Sequence, residues 1–124
     1  MPRINERCIE YTPEELKLGN LNIKAGQRVQ SVQYDLHGAK IHVMWLKASR
    51  AGLVVTFEYQ TKSREVLQRS DEVAIEIFED ETYNRFQFAT YGKMQLPAPY
   101  MIMKIHNPTD QDISLKAYGV SQLQ

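Results

Sequence analysis

The stretch Leu-Val-Val-Thr-Phe-Glu-Tyr, residues 53–59, decides the fold of this chain. Large apolar side chains fill every second position in it, namely Leu53, Val55, Phe57 and Tyr59. Successive side chains of a β-strand point to opposite faces of a sheet, so a period of two indicates a half-buried strand. The same alternation recurs in further segments between residues 29 and 118, with almost no helical spacing. The sequence therefore predicts an all-β fold.

Turn signals separate these segments at the spacing that is typical of an antiparallel β-sandwich. We predict about eight strands, in residues 21–23, 29–36, 40–47, 53–59, 73–77, 83–90, 101–105 and 113–117. Residues 7–11 are a further short extended candidate, and Thr12, Pro13 and Glu15 have the spacing of a capped helical turn. The polar run 60–71 and the proline-containing run 92–99 are expected to be connections. Strand order does not follow from this pattern, so jelly-roll and immunoglobulin-like topologies stay open.

Size and charge narrow the range of partners. The 124 residues fit one domain, residues 1–124, with a core large enough to need no disulfide. Fifteen basic residues balance fifteen acidic ones, so the formal net charge is zero. A neutral chain has no field that would hold a polyanion, which argues against nucleic acid as a partner. Neutrality also favours association with other proteins, since charge repulsion is weak.

The start of the chain and its cysteine content bear on where it is made. Cys8 is the only cysteine, which favours a reducing site of synthesis. The first residues, Met-Pro-Arg-Ile-Asn-Glu-Arg, lack the apolar run of a signal peptide. No apolar stretch approaches the ~20 residues of a membrane-spanning helix. We therefore expect synthesis in a cytoplasm and no membrane contact.

Residue patterns for catalysis or metal binding are weak in this chain. The three histidines, His37, His42 and His106, lie in separate segments and lack the spacing of metal ligands. A cupin-like metal enzyme that uses them is therefore a weaker, third hypothesis beside the two main ones given below. The acidic run of Glu79, Asp80 and Glu81 lacks the spaced carboxylates and glycine of a calcium loop, and we expect a solvated turn there. Cys8 has the setting of a small strand residue. We expect no enzyme activity, no metal and no cofactor.

Aromatic residues supply the remaining candidates for binding. Seven tyrosines and Trp45 suit either a sugar-stacking platform or a protein interface. Tyrosine is also common in strands, because it joins an apolar body to a polar tip. The number of tyrosines alone therefore does not distinguish a sugar-stacking platform or a protein interface from ordinary strand residues. The run 91–101 mixes prolines, methionines, a leucine and tyrosines. A loop of this composition either packs on its own domain or docks on a neighbour.

The last third of the chain contains a strand, an Asn-Pro-Thr-Asp turn and a final strand, in the segment Tyr100-Met-Ile-Met-Lys-Ile-His-Asn-Pro-Thr-Asp-Gln-Asp-Ile-Ser-Leu-Lys-Ala-Tyr-Gly-Val120. This segment resembles the end of small β-sandwich proteins from tailed-phage particles. Bacterial immunoglobulin-like and carbohydrate-binding modules close in the same way. The resemblance implies a non-enzymatic capsid or tail component, such as a decoration (cement) protein or a head–tail or tail accessory. It brings no catalytic residues with it.

Two main functional hypotheses follow. The first is a structural protein of an assembly, a phage virion, which contacts copies of itself or a shell or tail protein as a homo-oligomer or part of a larger particle. Its expected contact elements are residues 2–7, 91–101 and 120–124. The expected interface residues are Arg3, Ile4, Met94, Leu96, Pro97, Tyr100, Val120 and Leu123. The second hypothesis is a carbohydrate-binding module that stacks sugars on Trp45 and exposed tyrosines, and burial of Trp45 would exclude it.

Overall fold

The computed structural model describes residues 3–4, 8–89 and 100–123, with side chains for 8–88 and 100–123. Its elements in chain order are β1 (Arg3–Ile4), β2 (Cys8–Tyr11), α1 (Pro13–Leu16), β3 (Leu21–Ile23), β4 (Arg28–Gln30), β5 (Tyr34–Asp35), β6 (Ile41–Ala48), β7 (Val54–Gln60), β8 (Val66–Arg69), β9 (Val73–Ala74), β10 (Asn84–Ala89), β11 (Tyr100–His106) and β12 (Ile113–Gln122). The twelve described strands exceed the predicted eight because β1, β2 and β8 are additional and the predicted segment 29–36 is divided into β4 and β5.

The strands form two antiparallel sheets that pack as a sandwich, which confirms the predicted fold class. Sheet A has the order β1-β2-β12-β6-β10, with β3 also paired to β12. Sheet B has the order β4-β11-β7-β8, with β5 paired to β11 and β9 to β7. Strands that are distant in the chain are neighbours in both sheets, as β12 lies between β2 and β6 and β11 lies between β4 and β7. This interleaving is that of a jelly roll, one of the two topologies left open by the sequence.

The core lies between the sheets and is built from the alternating positions of the long strands. The predicted face of residues 53–59 is confirmed, since Leu53, Val55, Phe57 and Tyr59 are all buried. Phe57 packs against Phe88 of the opposite sheet, with ring centroids 4.6 Å apart. Burying apolar surface in this way contributes about 25 cal/mol per Å², so the two inner faces hold the sandwich closed.

The predicted helical turn is present as α1. The Thr12 side chain accepts a hydrogen bond from the Glu15 backbone amide at 3.2 Å, and the Glu15 carboxylate accepts one from the Thr12 amide at 3.3 Å. These reciprocal bonds satisfy amides that a helix start leaves free. Leu16 is fully buried, so the turn covers one end of the core. In the part of the chain that the structure describes, no helix is long and apolar enough to cross a membrane.

Two predictions on either side of residue 72 were wrong. The run 60–71 contains a strand, β8, which pairs with β7 as a hairpin. The predicted strand at 73–77 ends after β9, and Ile77 is 48% exposed. The reason is Asn84, whose side chain accepts a hydrogen bond from the Glu76 amide at 2.9 Å and donates one to the Glu76 carbonyl at 2.8 Å. The Asn84 side chain thus satisfies the backbone groups of Glu76 that a neighbouring strand would otherwise pair with.

The end of the chain also differs from the prediction. Strand β12 does not stop near residue 117 but continues to Gln122. Residues 120–122 are therefore paired, with Val120 opposite both Glu10 of β2 and Val43 of β6. Leu123 is half-buried and packs against the core. The predicted tail is for the most part the middle of sheet A.

Candidate functional site

The outer face of sheet A carries a patch of aromatic and apolar side chains. On β6, Trp45 lies opposite Tyr118 of β12 on one side and Arg85 of β10 on the other. Val43 of β6 lies opposite Val120 of β12. Tyr83 joins them, with its ring centroid 5.7 Å from that of Tyr118. Tyr118 is 37% exposed, and Val43, Trp45, Tyr83 and Val120 are half-buried. We call these five residues the aromatic face.

Three cations lie over the rings of the aromatic face. The Arg85 guanidinium carbon is 5.6 Å from the Trp45 ring centroid, and Nζ of Lys116 is 5.4 Å from that of Tyr118. Nζ of Lys47 is 5.8 Å from the Tyr83 centroid. A hydrogen bond with Tyr118 raises the pKa of Lys116 above its usual value. The face is therefore both aromatic and basic, and its aromatic rings and Arg85 are of the types enriched at protein interfaces.

A loop of opposite character lies next to the aromatic face. Residues 76–81, which we call the acidic loop, carry exposed carboxylates at both ends of an exposed apolar pair, Ile77 and Phe78. The two apolar side chains are 48% and 37% exposed, respectively. A small cleft of about 160 Å³ is lined by both this loop and Lys47, whose Nζ lies over the Tyr83 ring. A basic aromatic surface and an acidic apolar surface thus adjoin on one side of the molecule.

The outer face of sheet B has a groove of about 650 Å³ instead of an aromatic patch. Strands β4, β7, β8 and β11 contribute its polar lining, which includes Arg28, Gln30, Thr56, Glu58, Arg69 and Lys104. We call it the polar groove.

Glu58 lies in the polar groove but is fully buried. Its carboxylate accepts hydrogen bonds from Arg69 Nε at 2.7 Å and from Gln60 Nε2 at 3.0 Å, and Lys104 Nζ lies 3.2 Å away. Burial on its own would raise the pKa of this carboxyl, but the bonds from Arg69, Gln60 and Lys104 outweigh burial and hold the pKa below its usual value. Glu58 is thus a buried anion that fixes two cations on a sheet surface.

A second buried polar cluster lies inside the sandwich. His42 Nε2 is 3.0 Å from the Tyr34 hydroxyl, and His42 Nδ1 is 2.9 Å from the Ser121 hydroxyl. Met44 Sδ is 3.0 Å from His42 Nε2, and the Tyr11 ring meets the His42 ring edge to face. Burial lowers the pKa of His42 to about 3, so the ring is neutral, and burial raises the pKa of Tyr34 well above its usual value. A neutral, enclosed cluster of this kind specifies core packing rather than chemistry on a ligand.

The predicted interface residues are spread over several places. Arg3 and Ile4 form β1 and pair with β2 at the edge of sheet A. Tyr100 begins β11 and pairs with both β5 and β7. Val120 belongs to the aromatic face, whereas Leu123 packs on the core. Met94, Leu96 and Pro97 lie outside the described residues, as does most of the run 91–101.

Five of the tyrosines fall into two groups in the structure. Tyr11, Tyr34 and Tyr59 are buried in the core, as expected for strand residues. Tyr83 and Tyr118 are on the aromatic face with Trp45, which points outward and is only half-buried. The stated condition for excluding a sugar-stacking platform, burial of Trp45, is therefore not met.

The histidines are not brought together. His42 is in the core, His106 lines the polar groove, and His37 is exposed in the turn before β6. Among residues 8–88 and 100–123, no three His, Cys, Asp or Glu side chains are grouped so that they could hold a metal ion. The cupin-like hypothesis thus has no geometric support in the described part of the chain.

The polar groove and the acidic loop's apolar pair were not found from the sequence. The sequence signal for the polar groove was that Glu58, a charged residue, interrupts the most apolar strand. Its partners Arg69 and Lys104 come from two other strands, so the sequence did not reveal them. Ile77 belonged to an alternation that suggested burial, and Phe78, the next residue, was not singled out.

Comparison with known proteins supports the fold and leaves function open. No family model matches the chain, and no curated protein is similar to it in sequence. Among solved structures it is similar to VP2 of infectious bursal disease virus in a subviral particle, with a TM-score of 0.61 and 10% identity over 99% of this chain and 33% of VP2. It is also similar to YomS, a protein derived from the SPBc2 prophage, with a TM-score of 0.55 and 12% identity over 98% of this chain and 96% of YomS.

A third similar structure has a different role. The xylan-binding module CBM86 of Roseburia intestinalis has a TM-score of 0.54 and 8% identity over 93% of this chain and 95% of the module. At such identities the likeness concerns the fold alone. The resemblance to phage and viral structural proteins is thus present at the level of architecture, and the same architecture also serves carbohydrate binding.

Proposed function

We propose that this chain is a non-enzymatic structural protein of a phage particle that assembles with further copies of itself through the aromatic face. The role would be that of a capsid decoration protein or a head–tail or tail accessory, made in the host cytoplasm and carried in the virion. Its partners would be proteins rather than nucleic acid or membranes. The observation that carries the proposal is the basic aromatic face beside the acidic loop.

The chemistry of the aromatic face suits a protein partner. Tryptophan, tyrosine and arginine are the residues in which binding energy is most often concentrated at interfaces, and Trp45, Tyr118 and Arg85 adjoin here. Each ring offers a large rigid contact area at a low cost in side-chain entropy. Lys47 and Lys116 are half-buried over their rings, so covering them costs less than it would for extended, hydrated side chains.

A second copy of the chain supplies a complementary surface. In a two-fold contact each residue i of one copy meets residue j of the other, and j meets i. The acidic loop of one copy would then lie on the aromatic face of its partner, with Ile77 and Phe78 against the rings and the carboxylates near Lys47 and Lys116. The zero net charge adds no long-range repulsion to this contact. The prophage-derived and viral structures with this fold support a role in particles but do not specify it.

Charge reversal tests the proposal. The wild-type protein is expected to form oligomers in size-exclusion chromatography with light scattering. Lys47→Glu with Lys116→Glu is expected to raise the dissociation constant at least tenfold, about 1.4 kcal/mol, because two attractions per face become repulsions. Glu76→Lys with Glu79→Lys should do the same from the other surface. Mixing the two variants, or combining all four changes in one chain, should restore association.

The control for charge reversal is Lys40→Glu with Lys62→Glu, which makes the same change in net charge at exposed sites away from both surfaces. It should associate like the wild type. A wild-type protein that stays monomeric at the highest concentration reached would contradict the proposal. So would loss of association in the mixture of the two complementary variants.

Carbohydrate binding is the second candidate, and the outward-facing pair of Trp45 and Tyr118 favours it. Aromatic rings in adjacent strands can stack on the apolar faces of sugar rings. Trp45 is the only tryptophan, so its fluorescence reports on this site directly. If this function is correct, xylo-oligosaccharides should shift the emission of the wild type, and Tyr118→Ser should weaken the binding. Reversal of Lys47 and Lys116 should then leave the oligomeric state unchanged.

A further inference from the structure

The polar groove on sheet B is a second candidate binding surface, separate from the aromatic face. Its volume of about 650 Å³ falls within the range of small-molecule sites, roughly 300–1,000 Å³. Side chains from four strands line it, so its shape is set by the sheet rather than by a loop. The proposed assembly function makes no use of it.

The charges in the groove are arranged around the buried Glu58 carboxylate. Arg69 lies opposite Glu58 in the ladder between β7 and β8, and its Nε donates to that carboxylate. Lys104 approaches the same oxygen from β11. Both side chains are about half exposed, at 56% and 46%, so each turns one side to Glu58 and the other to the groove. Glu58 thus holds two donors in place at the groove.

A third cation completes a positively charged section of the groove. Arg28 is exposed on β4 and lies opposite His106 of β11. Lys104, two residues before His106 on β11, lies opposite Gln30 of β4. Side chains at such diagonal positions have their backbones about 7–8 Å apart, so one carboxylate can accept hydrogen bonds from both. Against these three cations stand the carboxylates of Glu58 and Glu72. The excess is a single positive charge.

The rest of the lining is neutral and suited to hydroxyl groups. Gln30 and Thr56 present an amide and a hydroxyl, and Val29 and Val54 add small apolar surfaces between them. Nucleic acid would need several phosphate contacts, which one excess charge does not provide. An acidic peptide would bring several like charges towards Glu72. A ligand with one anionic group among many hydroxyls matches the groove best.

We propose that the polar groove binds a saccharide that carries a carboxylate, such as a uronic acid residue, with the carboxylate held by Arg28 and Lys104. Glu58 positions Lys104 and Arg69, and the amide and hydroxyl of Gln30 and Thr56 bond the sugar hydroxyls. Binding is expected to be weak for a single sugar and to weaken further as salt rises, because the contact is exposed.

The test is a titration of the full chain with glucuronate, followed by the shifts of backbone amide resonances in NMR spectra. Resonances of β4, β7 and β11 at the groove should move, and glucose, which lacks the carboxylate, should bind at least tenfold more weakly. Arg28→Gln should lower glucuronate affinity about tenfold or more, whereas Lys40→Gln, the same change away from the groove, should not. Arg28→Lys should keep part of the affinity, since it keeps the charge but loses the planar donor pair.

Other ligands serve as competing outcomes. Sodium sulfate at matched ionic strength should move the groove resonances less than glucuronate does. If sulfate binds as well as glucuronate, the groove is a general anion site and the saccharide proposal is overturned. If a hexaglutamate peptide binds more tightly, or if Arg28→Gln leaves glucuronate binding unchanged, the proposal is likewise wrong. These results do not depend on the oligomeric state, so they are distinct from the test of assembly.

Discussion

Lowering the pH from 7.5 to 5 is expected to reduce the free energy of unfolding by about 2 kcal/mol through His42 alone. Burial lowers the pKa of this ring to about 3 in the folded chain, against about 6.5 when the chain is unfolded. Below pH 6.5 the His42 ring therefore binds a proton in the unfolded state and stays unprotonated in the folded state. Stability is lost at about 1.4 kcal/mol per pH unit through this window, until the folded pKa is reached.

A hydrogen bond with the Val120 backbone favours the charged form of His42, but burial outweighs it. Tyr34 and Ser121 occupy its two nitrogens, and Met44 and Tyr11 pack beside it. In the described part of the chain no carboxylate hydrogen-bonds to the ring. Burial also raises the pKa of Tyr11 to about 12, so both neighbouring tyrosines are neutral at every pH used here. A protonated ring would thus be a buried cation without a counterion.

His42→Gln isolates this effect, because glutamine keeps hydrogen-bonding groups but does not titrate. The variant is expected to be less stable than the wild type at pH 7.5 by about 1–2 kcal/mol, since the packing is imperfect. That difference should shrink by about 2 kcal/mol at pH 5. Urea unfolding at pH 7.5, 6 and 5 measures both. His106→Gln, on the outer surface, should keep the wild-type slope, and an unchanged slope in His42→Gln would contradict the assignment.

Local patterns were sufficient for the class of fold and for individual strands. The alternation in residues 53–59 is reliable because one face is buried by a whole opposing sheet. It failed at Ile77, where the Asn84 side chain replaces the ladder, and at β8, where Val66 and Leu67 are exposed and Gln68 is half-buried, so that no buried apolar face marks the strand. Both failures depend on residues that are not adjacent in the chain. Strand order is non-local for the same reason.

The candidate site could be predicted only in part. Trp45 and Val120 were singled out, but their pairing on one face depends on β12 lying beside β6, which the sequence does not reveal. Glu58 was counted as part of the polar side of an ordinary strand. Its two cationic partners lie on β8 and β11, which begin at Val66 and Tyr100, eight and forty-two residues after Glu58. A carboxylate in the middle of an apolar strand is the pattern that should prompt a search for such partners.

Removing both cations from Glu58 is expected to be among the most destabilising changes on the surface of sheet B. In Arg69→Met with Lys104→Met the buried carboxylate loses both cations, and Gln60 is the remaining hydrogen-bond donor among its described partners. Loss of a partner from a buried charge costs about 3–5 kcal/mol, and because both cations are about half exposed we expect about 2–3 kcal/mol at pH 7. Chemical denaturation of the variant and the wild type gives this difference.

The dependence on pH and a compensating change show whether the charge is the cause. In the wild type the lowered pKa of Glu58 contributes stability above pH 4.5 that is lost as the pH falls through the folded pKa. In the double variant burial is no longer outweighed, so the carboxyl takes up a proton more readily and the deficit should shrink in acid. Adding Glu58→Gln to the double variant should recover at least 1 kcal/mol at pH 7, because a neutral amide no longer needs a cation. A loss below about 0.5 kcal/mol in the double variant would mean that Glu58 belongs to an ordinary exposed ion pair, and the groove would then lack the fixed donors on which its proposed ligand depends.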